Sequence, residues 1–325
     1  MSGDLTVVRD ARAEARAFAP AGHDVRTLEP SPPALIDGEF FADDPAAVGP
    51  VDGPVVTPTS AGTVTWGEVA ASGAEAAEFA ADRWLGAHRR LGAVPDDYPA
   101  GRTAFHRLAY SVVAAARHQT NGKFGLRFTA GGFGTPFFGD DEQVRMVGDV
   151  MVLQSGGSAT SMVPRSIAEA AMFVGVEPST VAAEDDSPDL GDVDASIDLR
   201  ADVGAFLGDW FGFATSVLEE LRLVGTTADA VGRVQLWPGH FDPAVEIGDA
   251  EAGSRATFGA SPGDDSSAEP YLYVGAWGDV DAANPYWNAT TFAGATLPFE
   301  RLLAADDQRG EALRFFRTGY DLLHG

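Results

Sequence analysis

The chain has 325 residues, enough to bury a sizeable core in one large domain or two of ordinary size. Its 48 acidic residues against 22 basic ones leave a formal net charge of −26, and Lys123 is the single lysine. That field disfavours nucleic acid as a partner, because phosphates need clustered Lys and Arg. The lack of cysteine removes disulfides, thiolate catalysis and cysteine-ligated metals.

Self-repulsion at this charge density is relieved where the Debye length shrinks to about 3 Å near molar salt. The expected setting is therefore the cytoplasm of a salt-accumulating, halophilic cell, with the acids forming a solvated surface. Residues 1–10 carry no basic stretch followed by an apolar core, which argues against secretion. Residues 108–116 and 205–218 are the longest apolar stretches. They are short or broken by Asp209, so no membrane partner is expected where a span needs about 20 residues.

Residues 20–63, rich in Pro and Gly, read as an extended arm, which together with a helix over 74–91 fills a first region of residues 1–100. Over 103–119, Phe105, Leu108, Ala109, Val112 and Ala116 recur at helical spacing and Gly122 closes the helix. Phe124, Leu126 and Phe128 then alternate, which predicts a half-buried strand over 124–129. The Gly-rich residues 131–136 lack the Gly-Lys-Ser/Thr ending of a phosphate loop and open no helix, so they read as a tight bend. Gly148-Asp149 joins strands 143–147 and 150–154 as a hairpin, and Ser166 with Glu169 has capping-box spacing at a short helix that Gly175 ends. An acidic linker over 184–194 contains Pro188.

A long helix over 201–224 carries Val203, Phe206, Leu207, Trp210, Ala214, Val217 and Leu221 on one stripe. Gly204, Gly208 and Gly212 lie at intervals of four along its flank, which predicts close packing against another element. Strands over 234–237, 244–247, 255–260 and 271–277 and a helix over 311–323 complete the chain. Helix then antiparallel strands, twice over, gives an α+β fold. It has mainly antiparallel sheets in two similar helix-led lobes, 101–183 and 195–325, with helices packed on the sheets.

The residues with most chemistry cluster late. Trp237, His240 and Asp242 follow one another across Pro238-Gly239, and Tyr271, Tyr273 and Trp277 alternate on one strand near Glu269. Aromatics with polar tips line clefts for small molecules, though the same alternation also fills an ordinary core. His240 and Asp242, two apart, suit an imidazole oriented by a carboxylate or a metal pair. The pair would have to borrow a third ligand from Glu246, Asp264, Glu269 or a distant His. A structural histidine is the plainer alternative. His106 sits at the edge of its helix's apolar face, by default with a backbone partner.

Several short motifs share an order with one family. They are Gln119-Thr120-Asn121-Gly122-Lys123, Thr129-Ala130-Gly131-Gly132, Pro164-Arg165-Ser166-Ile167-Ala168, Phe241-Asp242-x-Ala244-Val245, Ser261-Pro262-Gly263, Tyr271-Leu272-Tyr273 and Leu297-Pro298-Phe299. In this the chain resembles, over about residues 103–323, a prokaryotic family known as domain of unknown function five-nine-nine-six. That family has no assigned reaction, so the resemblance implies a domain boundary and no activity. Members tend to carry Asn-His-Trp-Trp before the first strand, whereas Lys123 here runs directly into Phe124.

The function expected from these residues is binding, with or without turnover, of a small organic molecule in an aromatic cleft between the lobes. Trp237, His240, Tyr271, Tyr273 and Trp277 would form its walls, and Asp242 and Glu269 its polar contacts. The alternative is a non-catalytic interaction or scaffold protein whose arm docks a partner. Metal-assisted hydrolysis at His240 and Asp242 ranks below both, and no cofactor, catalytic residue or oligomeric state is implied.

Overall fold

The computed structural model describes residues 90–325, apart from 130–131, 137, 139–141, 156–157, 227–228 and 233, together with the strand β1 at Thr6–Arg9. The proline-rich arm and the helix expected over 74–91 therefore lie outside the described residues, except for the last two positions of that helix, which are not helical.

Helix α1 (Tyr98–Leu108) runs through a π-helical turn (Ala109–Val113) into α2 (Ala114–Asn121). Gly122, with φ 77°, caps it as the sequence predicts, donating its N–H to the carbonyl of His118. The wider π-turn leaves the carbonyl of Ser111 to accept from Ser179 N–H at 3.0 Å. The first sheet contains β2 (Arg127–Thr129), β3 (Gly132–Gly134), β4 (Gln143–Val147), β5 (Val150–Ser155) and β6 (Ser158–Met162), with β1 on the outer edge of β6. Gly132, Phe133 and Gly134 of the Gly-rich stretch are thus strand and not a bend. A Cβ at Gly132 would stand 2.0 Å from the carbonyl oxygen of Met146, so only glycine allows this approach to β4. Helix α3 (Ile167–Val174) begins at Ser166, whose Oγ accepts from Glu169 N–H, and ends at Gly175.

Helix α4 (Ala201–Leu221) precedes the second sheet of β7 (Gln235–Trp237), β8 (Asp242–Ile247), β9 (Ala256–Ser261), β10 (Tyr271–Ala276) and β11 (Gly294–Pro298). Then come α5 (Phe299–Ala304) and α6 (Gln308–His324). All strand pairs in both sheets are antiparallel, so the fold is α+β. The sheets meet edge to edge where Leu126 and Leu236 exchange backbone hydrogen bonds of 2.8 and 3.0 Å.

Helix α4 joins the two halves. A Cβ at Gly204 would press on Gly148 at the β4–β5 turn, and one at Gly212 on the ring of Phe128, so the glycine flank seats the helix on the first sheet. Elsewhere on the same helix, Trp210 donates from Nε1 to the carbonyl of Ala260 in β9. One continuous core, from Phe105 through Trp210 to Phe258 and Phe316, runs under both sheets. Among the described residues no helix is long and apolar enough to cross a membrane.

Candidate functional site

Strand alternation gives the second sheet two unlike faces. Val245, Ile247, Phe258, Ala260, Leu272 and Val274 are buried in the core on one side. Asp242, Ala244, Glu246, Thr257, Ser261, Tyr271, Tyr273 and Gly275 turn to the other, where they floor a cleft of about 510 Å³. That volume is in the range of small-molecule sites. Trp237, His240 and Phe292 complete its sides, and Glu184 and Asp186 of the acidic linker reach over its rim. The cleft is therefore not a gap between two lobes. It is the open face of the second sheet, walled by the linker.

The turn from β7 to β8 aims the key pair. Its last residue, Phe241, has φ 59° and donates its N–H to the carbonyl of Trp237 at 2.7 Å. A bulky residue in the left-handed region costs about 1–3 kcal/mol and persists only where packing fixes it. Here the ring is fully buried, stacked on His106 at 5.1 Å and flanked edge-on by Phe133 and Phe211. With Phe241 pinned into the core, its neighbours His240 and Asp242 both face the cleft.

One face of α1 and its π-turn holds the loops around the cleft, through residues at intervals of four. Tyr98 OH donates to the carbonyl of Pro262 at 2.7 Å and Arg102 to that of Ser267 at 3.4 Å, both in the β9–β10 loop. Nε2 of His106 lies 3.0 and 2.9 Å from the carbonyls of Pro238 and Gly239. Both partners are acceptors, so Nε2 carries the proton. Burial lowers the His106 pKa to about 4, keeping the ring a neutral donor. Tyr110 OH donates to the carbonyl of Pro188, and Arg107 to that of Leu190, tying down the linker.

Asp242 is 2% exposed. Its Oδ2 accepts from Tyr273 OH at 2.5 Å, while its buried Oδ1 has no hydrogen-bond partner. Burial raises its pKa, against the charge of His240 and the hydrogen bond from Tyr273. Tyr273 reaches Asp242 across β9 by lying over Gly259, where a Cβ would meet its ring at 2.3 Å. His240 is oriented by Asp186, not by Asp242: its Nδ1 lies 2.9 Å from Asp186 Oδ2. That hydrogen bond, against partial burial and with the charges of Asp242, Asp186 and Glu184, raises the His240 pKa to about 9, so the ring is an imidazolium at neutral pH. Burial pushes Asp186 up, but the bond to His240 and its charge outweigh it and the net shift is downward. Tyr271 OH donates to Asp264 Oδ2, whose other oxygen accepts from Ser266 and Ser267, and Glu246 pairs with Arg255.

No family model, curated protein or solved structure matches this chain.

The structure brings Trp237, His240, Asp242, Tyr271 and Tyr273 together in the cleft. Glu269 and Trp277 are outside it. Glu269 is exposed at the end of the β9–β10 loop. Trp277 is 57% exposed one step beyond the floor, held by Arg255 over its ring at 4.7 Å and by a hydrogen bond to Thr257 Oγ1. The third ligand of the metal reading is not supplied, since among the described residues no group of three or more His, Asp or Glu could hold an ion. Asp186, Glu184 and Phe292 carry no sequence signal that marks them as site residues. The first two belong to the acidic linker, whose composition does not mark which acid meets His240.

Proposed function

We propose that the cleft on the open face of the second sheet binds a small organic molecule, with or without turning it over. The observation that supports this reading is Asp242 Oδ1, buried beside aromatic walls and lacking a protein partner. A buried acceptor left unsatisfied costs about 1–3 kcal/mol, which a donor on a molecule in the cleft would recover. We also propose kinship with the uncharacterised family that the chain resembles, which adds no reaction to this reading. A halophilic setting is proposed with it, and binding assays accordingly belong in near-molar potassium chloride, where the charge of −26 is screened.

A thermal-shift screen of metabolites against the wild type and Gly275→Phe tests the reading. A Cβ at Gly275 would meet only the Thr257 carbonyl oxygen, at 4.0 Å, so a phenyl ring there enters the cleft without a backbone clash. The variant is expected to melt like the wild type and to lose the shift given by any hit. Hits that survive Gly275→Phe, or a screen without hits, would count against the cleft.

A further inference from the structure

We infer that the ligand is an organic cation, a protonated amine whose N–H groups donate to Asp242 Oδ1 while its apolar body lies against Trp237, Tyr273 and Phe292. This rests on the reading of the cleft as a ligand site and adds the chemical class.

The cleft is rich in acceptors, with the carboxylates of Glu184, Asp186, Asp242, Glu246 and Asp264 facing a single resident cation, the His240 imidazolium that Asp186 holds. An acidic cluster alone selects nothing, and most of these groups have partners within the protein. Asp186 has His240, Glu246 has Arg255, and Asp264 has Ser266, Ser267 and Tyr271. Asp242 differs: it is buried, one oxygen is taken by Tyr273, and the other has no partner. An ammonium offers three donors and no acceptor, which matches this inventory. A hydroxyl brings acceptor lone pairs along with its donor, and an anion brings acceptors alone beside five carboxylates.

In near-molar salt, attraction between exposed charges is damped over about 3 Å, so the acidic rim steers weakly. Discrimination then depends on contact with the buried carboxylate of Asp242, together with aromatic faces, which attract a cation within about 6 Å. The rings of Tyr273 and Phe292 meet edge to face at 6.3 Å, giving such a wall beside Asp242.

Calorimetric titration in near-molar potassium chloride with 2-phenylethylamine, 2-phenylethanol and 3-phenylpropionate tests the inference on the wild type and on Asp242→Asn. The amine is expected to bind the wild type about tenfold more tightly than the alcohol, with the carboxylate weakest. Asp242→Asn is expected to remove that preference and leave the alcohol within about threefold of its wild-type affinity. The wild-type ratio decides the matter even if the variant folds poorly. Equal or tighter binding of the alcohol or carboxylate overturns the inference, as does an unchanged preference in Asp242→Asn or no saturable binding of the amine. Alcohol binding that Gly275→Phe abolishes would leave the ligand site standing and sink only the cationic class.

Discussion

Among the described residues are two constellations of aspartate, histidine and tyrosine, and they are built to opposite ends. At the C-terminus Asp229 accepts from the backbone N–H and hydroxyl of Thr226, from Tyr320 OH at 2.8 Å and from Nε2 of His324 at 2.8 Å. The His324 ring stacks on Tyr320 at 3.8 Å and its Nδ1 lies 2.8 Å from the Tyr320 carbonyl, and both oxygens of Asp229 have partners. Burial raises the Asp229 pKa, but these donors outweigh it and bring it to about 2. In the cleft Asp242 is as well buried, yet one oxygen lacks a partner and its pKa moves up. The same residue types therefore clamp a helix where they satisfy one another and leave an unpartnered acceptor in the cleft where they do not.

Breaking the satisfied cluster should have the largest effect. Asp229→Ala strands Tyr320, Thr226 and His324, and is expected to destabilise by about 3 kcal/mol, lowering the melting temperature by roughly 5–10 °C. The latch also has an acid signature. A carboxylate with a lowered pKa adds stability above its unfolded value of 3.8 that is lost as pH falls toward about 2. Wild-type stability should drop across that window, and chemical denaturation of Asp229→Asn should show a shallower drop.

Next comes Gly259→Ala, whose Cβ would drive the Tyr273 ring off Asp242. Overpacking of this kind costs about 1–3 kcal/mol, and ligand binding measured by calorimetry should fall with it.

The contrast also marks what the sequence carries. Hairpin β4–β5, helix α4 and the face of β10 follow from alternation and periodicity in their own residues, so they were legible. Strands β3, β6 and β11 were not: Gly132 and Gly134 have no side chains to alternate, Ser158–Met162 is mostly small and polar, and Gly294–Pro298 ends in proline. At the site, Trp237, His240 and Asp242 stood out because they are neighbours in the chain. The partner of His240 did not. Asp186 lies 54 residues away in a linker whose route is set by Tyr110, Arg107 and Ser187, contacts that no local pattern encodes.

The smallest change in stability is expected at His240. Its pair with Asp186 is half-exposed, so His240→Ala should lose less than about 1 kcal/mol and shift the melting temperature by roughly 1–2 °C while weakening ligand binding. Because the His240 pKa is raised to about 9, the pair's contribution is complete below the ordinary value of 6.5 and disappears as pH rises through 9.

The melting temperature of Asp242→Asn at neutral pH, in near-molar potassium chloride, tests most directly the claim that the cleft is a site and not a structural network. The amide keeps the side chain's shape and removes a carboxylate whose ionised form burial opposes. If the group is held for a ligand, the variant melts at or above the wild-type temperature. A fall of several degrees, like that expected for Asp229→Ala, would mean that Asp242 holds the fold together and would contradict the account.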